Sequence, residues 1–176
     1  MSVINVQECQ RPLRARYKAE PGTAWVTDSA RTRGADLRDP FHFNVEPKPG
    51  SGQQWPVGTH SAVGGPYDAP CPGDILCAAL AACQESSIRI VANLLGVELV
   101  ALSVEVTGGA DLRGALGLDL QVPVGFQSLR CDVHLKAREG TRPELLAKLR
   151  AGAERCCVVL QTLRQPPTVV TTYHEG

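Results

Sequence analysis

The sequence predicts an α+β fold, and three observations support this. Short segments that alternate apolar and polar residues, as strands do, cluster along the chain. Two longer segments instead carry apolar residues at three- and four-residue steps, the spacing of amphipathic helices. The two kinds of segment do not alternate as they would in a doubly wound parallel sheet. We expect residues 1–176 to form a single domain, because this length suffices for one hydrophobic core.

The first part of the chain, residues 1–46, is expected to consist of strands. Residues 13–18 alternate apolar and cationic side chains, which is typical of a strand with one polar face. A turn follows, and residues 23–27 would complete a hairpin. Residues 41–46 are a third candidate strand, bracketed by Pro40 and Pro47.

Residues 47–72 are crowded with glycine and proline and are expected to form a long loop. A loop of this length inside a compact domain is more often functional or mobile than a simple connection between elements. Trp55 and Tyr67 within it are candidates for the wall of a pocket or for anchors of the loop.

The remaining part, residues 73–176, is expected to carry two central helices with strands. The first helix is predicted by an apolar stripe that runs from Ile75 to Leu94 and includes Cys83. Asp74 suits the positive end of its dipole, and Gly96 suits its C-terminal end. The stripe covers a wide arc, so this helix is expected to be largely buried.

Further elements follow in the order strand, strand, helix, strand. Residues 100–107 and 129–137 alternate as strands do, with a glycine-rich excursion between them. Thr141 and Glu144 have the spacing of a capping box, which predicts the start of the second helix. Residues 168–173 are rich in β-branched side chains and are expected to form a final strand.

The charge balance excludes several classes of partner. Eighteen basic residues match eighteen acidic ones, so no cationic surplus is available for nucleic acid or an anionic membrane. The uncharged apolar stretch 75–84 is too short to cross a bilayer. The N-terminus lacks the basic and apolar regions of a signal peptide, so we expect a cytoplasmic protein with no membrane partner.

The seven cysteines are the unusual feature of the composition. An odd number without a secretory signal argues against a disulfide framework, and no zinc-binding spacing is present, so no metal or cofactor is expected. Cys83 lies on the first helical stripe and Cys156 near the corresponding face of the second helix. If these helices pack together, the two thiols approach as a peroxidatic and resolving pair requires. The alternative is that both are ordinary apolar core residues.

Two segments carry a family resemblance. Residues 64–83, GGPYDAPCPGDILCAALAAC, and residues 153–158, AERCCV, resemble the OsmC/Ohr family, and the similarity extends from about residue 60 to the C-terminus. The resemblance implies an intertwined homodimer of OsmC-like fold, with curled antiparallel sheets around two central helices. It also implies thiol-dependent reduction of organic hydroperoxides as part of an oxidative stress response. An external dithiol such as a lipoyl protein would be the reductant.

The resemblance assigns roles to individual residues. Cys83 would be the attacking thiolate and Cys156 the resolving thiol, with an arginine to stabilise the thiolate, for which Arg31 and Arg33 are the candidates. The family's glutamate ten residues before the first cysteine is replaced by Gly73, so the neighbouring Asp74 is the candidate carboxylate.

A vicinal pair arises because Cys157 stands where the family usually has proline, and Cys157 either competes as resolving thiol or has no role. The departures leave open an alternative function. The chain would then be a stress-associated small-molecule-binding dimer, or a thiol redox sensor, without peroxidase turnover.

Overall fold

A computed structural model describes residues 4–33 and 36–175, with Arg33 described by its backbone alone. The helices are α1 (Val6–Ala19), α2 (Pro72–Leu95), α3 (Leu112–Ala115), α4 (Pro143–Cys156) and α5 (Val158–Arg164). The strands are β1 (Arg31–Arg33), β2 (Phe43–Glu46), β3 (Trp55–Val57), β4 (Leu99–Gly109) and β5 (Ser128–Ala137). Antiparallel sheet and separate helices confirm the predicted α+β class.

The chain comprises two compact units. The first contains Met1–Ala78 and Val106–Cys131, and the second contains Ala79–Glu105 and Asp132–Gly176. The first unit holds a three-stranded antiparallel sheet in the order β1-β2-β3, in which Arg31 lies opposite Glu46 and Val45 lies opposite Trp55. Of these strands only β2 agrees with the prediction, and β3 lies inside the segment expected to be a loop.

The predicted N-terminal hairpin is wrong. Residues 13–18 belong to helix α1, and residues 23–27 contain the end of a short 3-10 turn, Pro21–Ala24, and no strand. The Asn5 side chain accepts the Glu8 backbone N–H at 3.2 Å and caps the helix. Leucine, alanine, arginine and lysine favour helix intrinsically, and this preference outweighs a two-residue alternation over only six positions.

The second unit holds the largest apolar core. Ile88, Val91 and Ala92 of α2 pack with Leu149 and Ala153 of α4, and the last two are fully buried. The predicted helix α2 is present, but its burial was overestimated. Only six of its 24 residues are buried, and Leu76 and Ile90 of the predicted stripe are exposed. The core face is rotated toward Ile88 and Ala92 because α4 packs against that side. Strands β4 and β5, which the two alternating segments predicted, pair with each other in a two-stranded sheet.

The end of α2 follows from a glycine. Gly96 has a φ of +67°, in the left-handed region that glycine adopts without steric cost. The Val97 N–H then donates to the Ala92 carbonyl oxygen at 2.8 Å and satisfies one of the last helical carbonyls. The predicted stop at Gly96 is confirmed.

Helix α2 is also long and apolar enough, by length and composition, to cross a membrane. Its 24 residues include an 18-residue window with a mean hydropathy of 1.5. The window is longer than the uncharged stretch 75–84, because the helix continues past the Glu85–Arg89 ion pair. Buried core helices of water-soluble proteins reach the same values, so this property alone does not distinguish the two classes.

Two predictions at the C-terminal side need correction. The N-cap of α4 is Arg142 with Pro143 in the first turn, and the Thr141 hydroxyl instead donates to the Arg138 carbonyl oxygen at 2.6 Å. The helix is present, but the capping box is not. Residues 168–173 form no strand in the described chain, since Val169 and Val170 are exposed and pair with no other strand.

Candidate active site

Two thiols meet in the second unit, and we call them the thiol pair: Cys83 and Cys157. Cys83 lies on α2 and is half-buried, whereas Cys157 lies between α4 and α5 and is fully buried. Cys83 and the Ser87 hydroxyl, one helical turn further along α2, both lie close enough to the Cys157 sulfur to act on its pKa. Cys83 is therefore partly accessible to solvent, whereas Cys157 is not.

The spacing along α4 explains why Cys157 is the inward-facing cysteine. Leu149, Ala153 and Cys157 follow one another at four-residue steps, and all three are fully buried. The helix ends after Cys156, and Cys157 has the extended backbone angles φ −75° and ψ 99° before α5 begins. This four-residue series was the sequence signal for Cys157, and the resemblance led instead to its neighbour.

Cys156, predicted as the resolving thiol, lies on the exposed side at the end of α4. The structure brings Cys157 rather than Cys156 into contact with Cys83. The helical phase is the physical reason, because Cys156 lies one position away from the buried Leu149–Ala153 row.

The environment of Cys157 favours its neutral form. Burial raises the pKa of the Cys157 thiol above the ordinary value, and the neighbouring Cys83 raises it further. The Leu160 backbone N–H and the Ser87 hydroxyl act in the opposite direction, because donors to sulfur stabilise the thiolate. The thiol therefore needs its donors in order to ionise.

Two further thiols, Cys71 and Cys77, lie near the Asp74 carboxylate at the start of α2 in the first unit. We call these three residues the carboxylate cluster. The Asp74 carboxylate accepts the Cys71 backbone N–H at 2.9 Å and the Tyr67 hydroxyl at 3.2 Å. It also accepts the Cys71 thiol. Asp74 reaches back to the residue that precedes the helix, as a helix-start carboxylate does.

The charges of the carboxylate cluster oppose thiolate formation. The Cys71 backbone N–H leads the interactions that hold the pKa of Asp74 below its usual range, so the carboxylate is ionised. Burial, the Asp74 charge and Cys71 together raise the pKa of Cys77. Asp74, predicted as a site carboxylate, is thus placed with Cys71 and Cys77.

An apolar cavity of about 330 Å³ adjoins the carboxylate cluster. Val63, Leu112, Val124 and Phe126 contribute apolar wall, and the imidazole of His60 lies at the polar side. That imidazole stacks on Tyr67 with ring centroids 4.3 Å apart, so Tyr67 anchors its loop against a wall residue.

Gly73, at the position of the family glutamate, is tightly packed. A Cβ atom at this residue would lie 3.2 Å from the Phe126 ring and 3.5 Å from the Cys71 sulfur. A side chain at this position therefore requires the Phe126 ring to shift slightly.

Of the two candidate arginines, Arg31 lies on β1 and its Nε donates to the Glu46 carboxylate at 2.6 Å. Glu46 is 5% exposed and also accepts the Gly50 backbone N–H at 2.7 Å. Glu46 was not among the predicted site residues, and its pairing opposite Arg31 is set by the β1–β2 register. The side chain of Arg33 lies outside the described residues.

No disulfide joins any of the seven cysteines, all of which lie among the described residues. Within residues 4–33 and 36–175, no group of three or more His, Cys, Asp or Glu side chains is arranged to hold a metal ion.

A comparison with protein families gives a match. The family model described as OsmC-like protein matches residues 64–172, which includes both cysteines of the thiol pair and the whole carboxylate cluster. No curated protein matches the sequence.

Solved structures share the fold. An organic hydroperoxide resistance protein OsmC from Legionella pneumophila is 23% identical, with a TM-score of 0.59, over 81% of this chain and 92% of that chain. An OsmC-like protein of unknown function from Vibrio cholerae is 12% identical, with a TM-score of 0.63, over 78% and 94%. An organic hydroperoxide resistance protein from Elizabethkingia anophelis is 19% identical, with a TM-score of 0.58, over 81% and 91%.

Proposed function

Because the chain belongs to the OsmC-like protein family, we propose that it is a thiol-dependent peroxidase that reduces organic hydroperoxides. Membership supports a peroxide-resistance redox protein at the level of the family. The observation that carries the finer proposal is the contact between the half-buried Cys83 thiol and the fully buried Cys157 thiol.

The difference in burial between the two thiols, together with the raised pKa of Cys157, assigns the attacking role to Cys83 and the resolving role to Cys157. The Cys83 thiolate attacks the terminal oxygen of the hydroperoxide, the O–O bond breaks, and the alcohol leaves with a proton. Cys83 becomes a sulfenic acid. Cys157 is poorly suited to this first step, because it is fully buried and its pKa is raised.

The second step uses the neighbouring thiol. The Cys157 sulfur attacks the sulfur of the Cys83 sulfenic acid, a disulfide forms, and hydroxide leaves as water after it takes up a proton. The Ser87 hydroxyl supports this step, because it stabilises Cys157 as a thiolate. An external dithiol, such as a lipoyl protein, then reduces the disulfide and returns both thiols.

The residue that activates Cys83 stays a prediction. Arg31 is held by Glu46, and the backbone of Arg33 lies two residue pairs further along the same ladder. We also infer a homodimer in the cytoplasm. Membership of the family supports the dimer, and the seven free cysteines are compatible with a reducing compartment.

A second candidate function is the binding of a small molecule without turnover. The apolar cavity beside the carboxylate cluster favours it, since a 330 Å³ space with few polar groups is suited to a small ligand. A thiol redox sensor is the third candidate, and it would use the thiol pair once without recycling.

The test is to add cumene hydroperoxide to the reduced protein and count the remaining thiols. We expect rapid loss of two thiols per chain in the wild type and no loss in Cys83→Ser. Addition of dihydrolipoamide restores the thiols and permits repeated turnover. Cys77→Ser is the matched control, because Cys77 is on the same helix but in the carboxylate cluster.

Each alternative has its own signature. Thiols untouched by millimolar peroxide would contradict the peroxidase and the sensor together and leave the binding protein. Loss of two thiols without recycling by dihydrolipoamide or dithiothreitol would identify the sensor.

A further inference from the structure

The end of α4 carries adjacent cysteines with opposite environments. Cys156 is exposed, and Cys157 is fully buried against Cys83. Their Cα atoms are separated by a single trans peptide, which is about 3.8 Å. The proposed resolution step uses Cys83 and Cys157 and gives Cys156 no part.

The burial of Cys157 creates a difficulty for the last step of the cycle. A reductant must bring its thiolate directly onto one sulfur of the disulfide. One sulfur of the Cys83–Cys157 disulfide is sealed, and the other is only partly exposed. A bulky dithiol, such as a lipoyl group on a protein, is therefore obstructed at the pair itself.

We propose that Cys156 is the thiol that carries the disulfide to the surface, a proposal that rests on the proposed peroxidase function. The Cys156 thiolate attacks the Cys157 sulfur of the Cys83–Cys157 disulfide. A Cys156–Cys157 bond forms, the Cys83–Cys157 bond breaks, and the electron pair leaves on Cys83 as its thiolate. The Cys156 proton passes to solvent, and no electrons enter or leave the chain in this exchange.

The vicinal disulfide has the properties of a short-lived carrier. Its Cα separation of about 3.8 Å is below the usual range for disulfides, so the bond is strained and readily reduced. An external dithiol then attacks the exposed Cys156 sulfur and withdraws the strained species from the equilibrium. Two electrons and two protons from the dithiol restore both cysteines.

The backbone around the pair permits this exchange. Cys157 already lies outside helical geometry, at φ −75° and ψ 99°, in the break between α4 and α5. The small ring that a vicinal disulfide closes therefore forms where the helix is interrupted. At a position in the middle of α4, the same ring would require helical hydrogen bonds to break.

The experiment separates oxidation from re-reduction. Reduced Cys156→Ser and wild-type protein are each oxidised with one equivalent of cumene hydroperoxide, freed of excess peroxide, and mixed with dihydrolipoamide in a stopped-flow instrument. Cys9→Ser is the matched control, because Cys9 is also exposed on a helix. We expect equal loss of two thiols in all three proteins and re-reduction slowed by about tenfold in Cys156→Ser alone.

A second measurement tests whether the carrier can form. Cys83→Ser protein treated with diamide is expected to yield a peptide in which Cys156 and Cys157 are joined, seen as the loss of two hydrogen atoms by mass spectrometry. Re-reduction of Cys156→Ser at the wild-type rate, with normal thiol loss, would overturn the relay and leave the peroxidase intact. Failure of every protein to lose thiols would overturn the peroxidase and the relay with it.

Discussion

The thiol pair and the carboxylate cluster both contain buried or half-buried cysteine thiols, but different groups surround the sulfur atoms. In the thiol pair, Cys157 is surrounded by neutral donors, the Ser87 hydroxyl and the Leu160 amide, which favour a thiolate against the cost of burial. In the carboxylate cluster, an ionised Asp74 adds to burial and raises the pKa of Cys77.

The difference shows that the number of cysteines does not identify a redox site. A reactive thiol needs donors or positive charge around the sulfur and a partner within bonding reach. The carboxylate cluster has a negative charge instead, and the bond from the Cys71 backbone N–H to Asp74 holds the start of α2. In the thiol pair, the Ser87 hydroxyl and the Leu160 N–H supply such donors to Cys157.

The largest expected effect separates the two groups by activity. Cys157→Ser removes the resolving thiol, so the Cys83 sulfenic acid persists and turnover with dihydrolipoamide falls on the order of a hundredfold. Cys71→Ser removes a thiol of the carboxylate cluster and is expected to keep turnover within about twofold of the wild type. Coupled peroxide consumption measures turnover, and dimedone labelling followed by mass spectrometry detects the trapped sulfenic acid. Equal losses of turnover in Cys157→Ser and Cys71→Ser would contradict the distinction between the thiol pair and the carboxylate cluster.

An intermediate effect is expected when the negative charge is removed from the carboxylate cluster. Asp74→Asn lowers the pKa of Cys77, because the nearby anion disappears while burial remains. Alkylation of Cys77 by iodoacetamide, followed by peptide mapping, is expected to become several-fold faster at neutral pH. The variant also loses about 1 kcal/mol of stability, since the carboxylate that accepts the Cys71 N–H is replaced by a weaker acceptor.

The alkylation rate of Cys157 provides the control in the same sample. It is expected to be unchanged in Asp74→Asn, because Cys157 owes its pKa to burial, Leu160, Cys83 and Ser87. A uniform rise at both cysteines would indicate general loosening of the fold and contradict the electrostatic explanation.

The smallest expected effect concerns the pH dependence of the thiol pair. Ser87→Ala removes a donor that lowers the pKa of Cys157, so this pKa rises further. Less thiolate is then present at any given pH, and the midpoint for formation of the Cys83–Cys157 disulfide moves to higher pH. The rate of thiol loss, measured across pH 6 to about 10 around the usual cysteine range, gives the midpoint. A midpoint that stays in place would show that the hydroxyl does not act on the thiolate.

The stability of the fold has the corresponding pH dependence. The folded pKa of Cys157 lies above its unfolded value, so the folded state holds the proton more tightly. Its stabilising contribution is complete below the unfolded pKa and is lost as pH rises through the folded pKa. In Ser87→Ala the folded pKa of Cys157 is higher still, so the pH range over which this stability is lost extends to more alkaline pH.

Prediction from the sequence was most accurate for α2, because its long periodic apolar pattern agreed with separate signals for the start and the end of the helix. The α2 stripe, the Asp74 start and the Gly96 stop act on the same helix, and each has a local physical cause. The N-terminal elements could not be predicted in this way. Residues 13–18 satisfied a two-residue period only because the run is too short to exclude a helix, and the Asn5–Glu8 cap was the decisive signal.

The proximity of Cys83 to a cysteine near the end of the second helix was predictable, whereas the catalytic roles of these cysteines stay a prediction. Which of the two adjacent cysteines faces inward depends on helix phase, and the Leu149–Ala153–Cys157 series decides it. The carboxylate cluster was not predictable as a unit, because Tyr67 and His60 come from a loop whose path depends on tertiary contacts.

The close packing of Gly73 against Phe126 determines what engineering of a carboxylate at this position involves. A Cβ atom at position 73 would lie 3.2 Å from the aromatic ring, so the ring must shift slightly for any side chain to fit. Gly73 also lines the apolar cavity, so a charged group added here changes the polarity of that cavity. A Gly73→Glu variant therefore alters the packing of Phe126 and the chemistry of the cavity together, and the two effects have to be measured separately.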